Sequence, residues 1–198
     1  MQEISDETKA LISQGHKRLL LVSAEDPEVS IDYLQDAIKT VYETKEGNGA
    51  IRRINVNVAP MEESDFKKLK GTGIGTYQSF QETYHVDTYK QLHTSGPKSD
   101  YLKRLYACDN AQIAGIDDVG IGALFGLHDY KYEVLAILFH AIHLEEVFGV
   151  GPHTISVPRL EPAQGSEIAS HPPSAVSDKE LKKIIAVLRL SVPYTGII

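Results

Sequence analysis

Cysteine is nearly absent from this chain. Cys108 stands alone, which excludes an internal disulfide framework and any cysteine-rich metal site built from these residues by themselves. Long apolar runs are missing too. No stretch approaches the roughly 20 residues that a bilayer-spanning helix needs, and Met1 to Gly15 has a polar helical pattern, not a charged stub followed by an apolar segment. The chain reads as cytoplasmic. Dense blocks of Lys and Arg are also lacking: 20 basic residues stand against 27 acidic ones, for a net charge of −7. That balance argues against a nucleic-acid partner and against an anionic membrane, and leaves small molecules and proteins. What is present, over 198 residues, is 42% hydrophobic and 24% charged, a globular composition with length for one sizeable core.

The most informative stretch is Thr76 to His85, TYQSFQETYH. An alternating apolar and polar run predicts a β-strand, and Gln81, Glu82, Thr83, Tyr84 and His85 cluster donors, acceptors and a titratable ring at its end. Gly71, Gly73 and Gly75 precede this strand instead of following one, so they read as turn residues and not as a phosphate loop. The same grammar recurs. A helix from Asp6 to Gln14 leads to an apolar strand, Lys17 to Ser23, with the polar end Ser23-Ala24-Glu25-Asp26-Pro27. Ser30 caps a helix to about Lys45, and Gly47-Asn48-Gly49 turns the chain into a strand over Arg52 to Val58. Further helices are expected over Met61 to Lys70, in a small turn around Asp87 to Leu92, and over Asp100 to Ala114 with Ser99 as cap. A strand follows over Ile116 to Leu127, then an apolar helix over Lys131 to Phe148 and a strand over His153 to Val157. A long loop over 160–176 precedes a helix from Asp178 to Leu190, whose Ser177 and Glu180 form a capping box, and Val192 to Ile198 closes the chain.

Helix, turn and apolar strand in alternation predict an α/β fold of about six parallel strands. A partial TIM-type (β/α) barrel fits best, with ligand groups at the C-terminal strand ends. A flavodoxin-like or Rossmann sheet is the alternative. The chain starts on a helix and ends inside an apolar strand, so we read residues 1–198 as a single domain that is an internal segment of a longer protein, lacking a first strand.

Five segments carry a family resemblance: Phe80 to His85 (FQETYH), Ser95 to Tyr101 (SGPKSDY), Gly115 to Gly122 (GIDDVGIG), Gly151 to Pro162 (GPHTISVPRLEP) and Val192 to Ile198 (VPYTGII). Together they resemble radical S-adenosylmethionine (SAM) enzymes, specifically the tyrosine lyase of FeFe-hydrogenase maturation and its relative in thiamine biosynthesis, 2-iminoacetate synthase. The resemblance implies a radical SAM core that lacks its first strand. It also implies a 4Fe-4S cluster and SAM as cofactors, and cleavage of the Cα–Cβ bond of tyrosine to p-cresol and dehydroglycine. The wording of the motifs is nearer to the hydrogenase branch, with tyrosine as small-molecule substrate and other maturation proteins as further partners. The thiamine branch is the alternative, as is a non-catalytic barrel fragment that binds a small molecule or a partner.

The same resemblance assigns roles residue by residue. Ser23, Ala24 and Glu25 would receive the SAM ammonium group, Glu82 the ribose hydroxyls, and Arg104 the SAM carboxylate. Arg159 would anchor the tyrosine carboxylate, with Ser156, Thr195 and Tyr194 lining its cavity. A departure from the family matters as much. The Cys-x3-Cys-x2-Cys loop that holds the cluster is absent from this chain, as is the C-terminal cysteine motif of the hydrogenase branch. Cluster binding and the C-terminal extension would therefore belong to other parts of the parent protein. No metal ligand and no acid–base catalyst is assigned here. Cys108 reads as a small buried residue, His140 and His143 as a packed or surface pair, and His128 with Asp129 as residues that shape a strand end. The bland readings are a polar loop for Ser23 to Glu25, a solvated helix residue for Arg104, and a salt bridge with Glu161 for Arg159.

Overall fold

Local signals set most element ends. The computed structural model describes residues 1–26 and 28–198; Pro27, expected at the end of the first polar strand terminus, lies outside the described residues. Helix α1 (Gln2–Ser13) leads to β1 (Arg18–Val22). Ser30 caps α2 (Ile31–Glu43) by accepting from the Tyr33 amide, as its sequence position predicts. A short antiparallel hairpin of β2 (Lys45–Glu46) and β3 (Gly49–Ala50) follows. Gly47 opens its two-residue turn at φ +56, a backbone that glycine adopts without steric cost. Then come β4 (Arg53–Asn57), α3 (Glu63–Gly71), β5 (Tyr77–Gln78) and α4 (Val86–Leu92).

Beyond a 3-10 turn at Pro97–Ser99 lie α5 (Tyr101–Leu105), α6 (Ala107–Ile113) and β6 (Val119–Gly122). The long helix α7 (Tyr130–Phe148), β7 (Thr154–Ser156), α8 (Glu167–Ser170), α9 (Asp178–Ser191) and β8 (Gly196–Ile197) complete the chain. The capping box of α9 is present with both of its hydrogen bonds. Among the described residues, no helix is long and apolar enough to cross a membrane.

The elements fall into two compact units. The first comprises Met1–Gln78 and Asp109–Asp118. Its strands run parallel: Leu19 and Leu21 pair with Ile54 and Val56, and Val56 pairs with Tyr77. Ile54, Val56, Ile38 and Phe66 are fully buried, and Phe66 meets Tyr77 edge-on at 4.7 Å. The polar face of β4 is organised by Arg53, whose guanidinium bonds to Asn55, Thr76 and Asp118.

The second unit comprises Ser79–Cys108 and Val119–Ile198. Here β6, β7 and β8 run parallel, with Ile121 beside Ile155, Gly122 beside Ser156, and Ile155 beside Ile197. Val134, Ile137, Ala141 and Leu144 form the buried face of α7, at the 3- and 4-residue spacing of a helix that packs on one side. Six parallel strands in alternation with helices are the α/β class expected from the sequence.

Several expected elements differ: the strand expected over Ile116 to Leu127 is regular only at Val119–Gly122, and the loop expected over 160–176 carries α8. The strand expected over Thr76 to His85 is regular only at Tyr77–Gln78. Beyond it the Ser79 and Gln81 amides still donate to the Gly120 and Gly122 carbonyls, until Glu82 turns to φ +67 and ends the extended backbone. The helix expected over Asp100 to Ala114 is split into α5 and α6, with Asp100 as the cap and Ser99 in the 3-10 turn. The apolar period runs through the break, so periodicity alone does not reveal it.

Gly122 allows the close approach of β6 and β7. A Cβ there would lie 2.6 Å from the Ser156 carbonyl oxygen and 3.2 Å from the Phe80 ring, and backbone on a paired strand yields little. Gly122→Ala should lower stability by roughly 1–3 kcal/mol, the usual cost of overpacking. Urea unfolding measures this, and a variant as stable as the parent would mean that the strands separate freely.

Candidate functional site

Glu82 is the one non-glycine residue with a positive φ, +67, among the described residues. That backbone costs a side-chain-bearing residue on the order of 1–3 kcal/mol, so the surroundings must hold it. They do so on both sides. The Glu82 carbonyl accepts from the Leu124 amide at 2.8 Å. On the other side, the buried carboxylate of Glu133 on α7 accepts from the Thr83 hydroxyl and, at 2.9 Å, from the Tyr84 amide. Glu133 is completely buried. Burial pushes its carboxyl above the ordinary glutamate range, while the bonds from Thr83 and Tyr84 pull the other way. The Glu82 side chain itself is 19% exposed and pairs with Lys98 at 2.5 Å.

Aromatic and imidazole groups pack around this turn. His85 stacks on His128 with ring centres 3.8 Å apart, and the Thr88 hydroxyl bonds to both rings. His85 also caps α4. His128 is thereby a packing partner, and Asp129 caps α7 by accepting from the Lys131 and Tyr132 amides; both shape the strand end, as expected. His140 bonds to the buried Tyr84 hydroxyl at 2.8 Å.

Arg104 is 8% exposed on α5, so it is not a solvated helix residue. Its guanidinium donates to the Phe80 carbonyl at 2.9 Å, and burial draws its pKa down to about 10. Glu82 and Arg104 thus meet the same short segment, one within it and one bonded to it.

Arg159 forms the salt bridge with Glu161 at 2.9 Å that its sequence context allows. A second ion pair, to Asp178 at 2.7 Å, and a bond to the Val176 carbonyl were not legible in advance. These acids, Asp178 first, hold its guanidinium above the ordinary arginine value. Ser156 sits at the C-terminal end of β7, and its buried hydroxyl has no hydrogen-bond partner among the described residues. Thr195 does not join it. The pairing of Thr154 with Gly196 sets Thr195 level with His153, at the N-terminal end of the strand, where its hydroxyl donates to the Pro152 carbonyl at 2.7 Å. Tyr194 is exposed and donates to Glu145; burial of its hydroxyl and that carboxylate push its pKa to about 12.

Ser23, Ala24 and Glu25 belong to the first unit and directly follow β1, where the Ser23 amide bonds to the Asn57 carbonyl. The buried Ser23 hydroxyl has no hydrogen-bond partner among the described residues. Cys108 is 2% exposed within α6, with its sulfur beside the Gly120 carbonyl. The described residues contain no group of three His, Cys, Asp or Glu side chains able to hold a metal. With one thiol, this residue set does not fit an iron–sulfur cluster. It does fit a nucleoside-bearing amino acid in part, because Glu82 presents a partly exposed acceptor.

Sequence reasoning missed Glu133 and Lys98. The signal for Glu133 was an ionisable residue in the most apolar helix. Lys98 had none beyond its place in the SGPKSDY segment.

Comparison with known proteins gives a consistent setting. Residues 156–198 match the family described as the Biotin and Thiamin Synthesis associated domain. The chain is 31% identical over 193 residues to 2-iminoacetate synthase of Escherichia coli K12, covering 96% of this chain and 49% of that protein. It thus spans about half the length of the curated relatives it matches. The crystal structure of HydG, a maturase of the FeFe-hydrogenase, superposes with a TM-score of 0.96 at 56% identity, over 99% of this chain and 43% of that one. HydG from Carboxydothermus hydrogenoformans gives 0.91 at 46% identity, over 99% and 44%.

The buried Glu133 carboxyl makes stability depend on pH with a defined sign. Its folded pKa is raised, so the native state binds its proton more tightly than the unfolded chain does. This stabilising contribution is complete below the unfolded value, about 4.3, and is lost as pH rises through the folded one. Glu133→Gln keeps an acceptor for the Tyr84 amide and removes the titration. Its stability should therefore fall less than that of the parent between about pH 4 and neutrality. Denaturant midpoints across that range measure the difference, and equal slopes would show that Glu133 does not titrate there.

Proposed function

We propose that this chain, which belongs to the radical SAM family with the HydG maturases and 2-iminoacetate synthase, is the cofactor- and substrate-orienting part of a tyrosine lyase. The parent enzyme would split the Cα–Cβ bond of L-tyrosine into p-cresol and dehydroglycine for maturation of the FeFe-hydrogenase cofactor, in the cytoplasm and beside other maturation proteins. The observation that carries this reading is the likeness to HydG over 99% of the chain at 56% identity, against 31% to 2-iminoacetate synthase, which favours the hydrogenase branch over the thiamine branch.

When bound, SAM supplies the radical chemistry; the residues of this chain bind and orient. The Glu82 carboxylate accepts hydrogen bonds from the two ribose hydroxyls, since an ionised carboxylate is an acceptor at both oxygens. Arg104 offers a planar fork to the SAM carboxylate. Ser23, Ala24 and Glu25 are proposed for the SAM ammonium group on the family resemblance alone. Ser156 offers its unsatisfied hydroxyl to the substrate.

Arg159 would take the tyrosine carboxylate in exchange for Glu161 and Asp178. Those two side chains are 66% and 83% exposed, and ion pairs in contact with solvent are weak, so the exchange costs little. In a cysteine-complete parent protein, Arg159→Lys keeps the charge and loses the fork. It should form less p-cresol per SAM cleaved, with more uncoupled 5′-deoxyadenosine, because a misplacement of ~1 Å can cost on the order of 10²-fold in rate. Both products are measured in one assay. Full coupling with parental tyrosine affinity would make Arg159 a structural ion-pair residue.

The 198-residue chain by itself should neither assemble a 4Fe-4S cluster nor cleave SAM, since its one cysteine cannot supply three thiolates. Anaerobic reconstitution with iron and sulfide tests this. Stoichiometric cluster absorbance together with 5′-deoxyadenosine would refute it.

A further inference from the structure

The Lys98 backbone is fixed from both sides. Gly96, at φ +75, turns the chain into the 3-10 segment Pro97–Ser99, and both the amide and the hydroxyl of Ser99 bond back to the Gly96 carbonyl, at 3.1 and 2.7 Å. From the other direction the Tyr89 hydroxyl donates to the Lys98 carbonyl at 2.6 Å. The Tyr89 side chain is fully buried, and its ring packs against Tyr101 and His93 at 5.1 and 4.5 Å. Burial raises the Tyr89 phenol, so it keeps the proton that it donates. A loop held this firmly places one ammonium group, 2.5 Å from a Glu82 oxygen.

We propose that Lys98 is a positioning residue for Glu82: its ammonium group, delivered by a preorganised loop, fixes the carboxylate so that a ribose diol meets acceptors already in place. This rests on the reading that Glu82 receives the SAM ribose. The alternative for such a pair is a surface ion pair, which contributes little when both side chains are free to move. Here both side chains start from a fixed backbone. Glu82 is held in the left-handed region by Leu124 on one side and by Glu133, through Thr83 and Tyr84, on the other. Lys98 stands on a turn whose carbonyl is tied to a buried tyrosine. Its side chain is 37% exposed and that of Glu82 is 19% exposed, so a ligand can reach the pair while bulk water only partly screens it. His93, whose ring meets Tyr89 at 4.5 Å, has a buried Nε2 with no hydrogen-bond partner among the described residues. Burial, and after it Lys98, draw the His93 pKa down while Glu82 opposes them.

Preorganisation removes the ordering cost that a mobile glutamate would incur on binding. The ammonium group takes one direction of approach to the carboxylate, and the remaining lone pairs of its two oxygens are left for hydroxyl donors. Lysine suits this task because it offers a compact charge, whereas a guanidinium fork would claim both oxygens. Lys98 contacts no reacting atom in this scheme and acts through Glu82.

The test compares Lys98→Met, which keeps the length and removes the charge, with Lys98→Arg, in the full chain. Affinity is measured by calorimetry for S-adenosylhomocysteine and for its 2′,3′-dideoxy counterpart, and exchange of the Leu124 amide by NMR. Lys98→Met should weaken the diol ligand about tenfold, the scale of one charge-assisted hydrogen bond, leave the dideoxy ligand unchanged, and speed exchange at Leu124. Lys98→Arg should restore the Leu124 protection and part of the affinity. Equal loss for both ligands, or no change in either affinity or exchange, overturns the proposal. If the unsubstituted chain binds neither ligand, the ribose reading of Glu82 fails, and exchange at Leu124 then decides the role of Lys98: faster in the Met variant and restored in the Arg variant supports it, unchanged overturns it.

Discussion

The second unit depends on a carboxylate that never meets water. Glu133 is fully buried on α7, and its two oxygens accept from the Thr83 hydroxyl and the Tyr84 amide. A buried carboxylate without donors costs several kcal/mol, so the helix and the segment after Glu82 are mutually required: the carboxylate needs donors, and the segment needs an acceptor where it leaves the strand. Glu82, with its left-handed backbone, is the centre of a tight turn that the Thr83 amide closes on the Gln81 carbonyl at 2.9 Å. The strain resides at the residue whose partly exposed side chain pairs with Lys98, held there by packing that over-determines the position.

Much of the scaffold was legible in the sequence. The serine caps of α2 and α9 and the Gly149 terminus of α7 are local signals, decided within one helical turn, and the structure has them where they were expected. Parallel strands followed from the alternation of apolar runs with helices. The short strands were less legible. β5 keeps two regular residues because its continuation, although still hydrogen-bonded to Gly120 and Gly122, must turn at Glu82. Gln78, Ser79 and Gln81 are also buried, so the polar positions of an alternating pattern do not here mark a solvent face. Periodicity reports what a strand could do alone, and buried polar neighbours are set by partners distant in sequence.

The candidate site divides along the same line. Glu82 stood out because it ends an apolar run, and Arg104 only through the family resemblance. Lys98 and Glu133 could not be found this way, since each matters through a contact that spans many residues of chain. Arg159 shows the converse. Its place after a strand suggested a ligand anchor, whereas its partners Asp178 and Val176 come from the far end of a long loop that no local pattern ties to it. Thr195 precedes the two-residue strand β8, and its level against β7 is a matter of register, which the pairing of Thr154 with Gly196 sets.

Glu82 and Glu133 are the same chemical group in two environments, and the contrast separates their roles. Neutral donors from the protein satisfy Glu133 and no solvent reaches it, so its carboxylate serves shape. Glu82 faces a cation across a partly open gap, with oxygen lone pairs left to accept from an incoming hydroxyl. A ligand can compete for the second carboxylate and has no access to the first. On the proposed reading of Glu82, binding capacity is confined to the residue whose backbone is most firmly held, which makes orientation of a ligand, and not mere retention of it, the property that the surrounding hydrogen bonds protect.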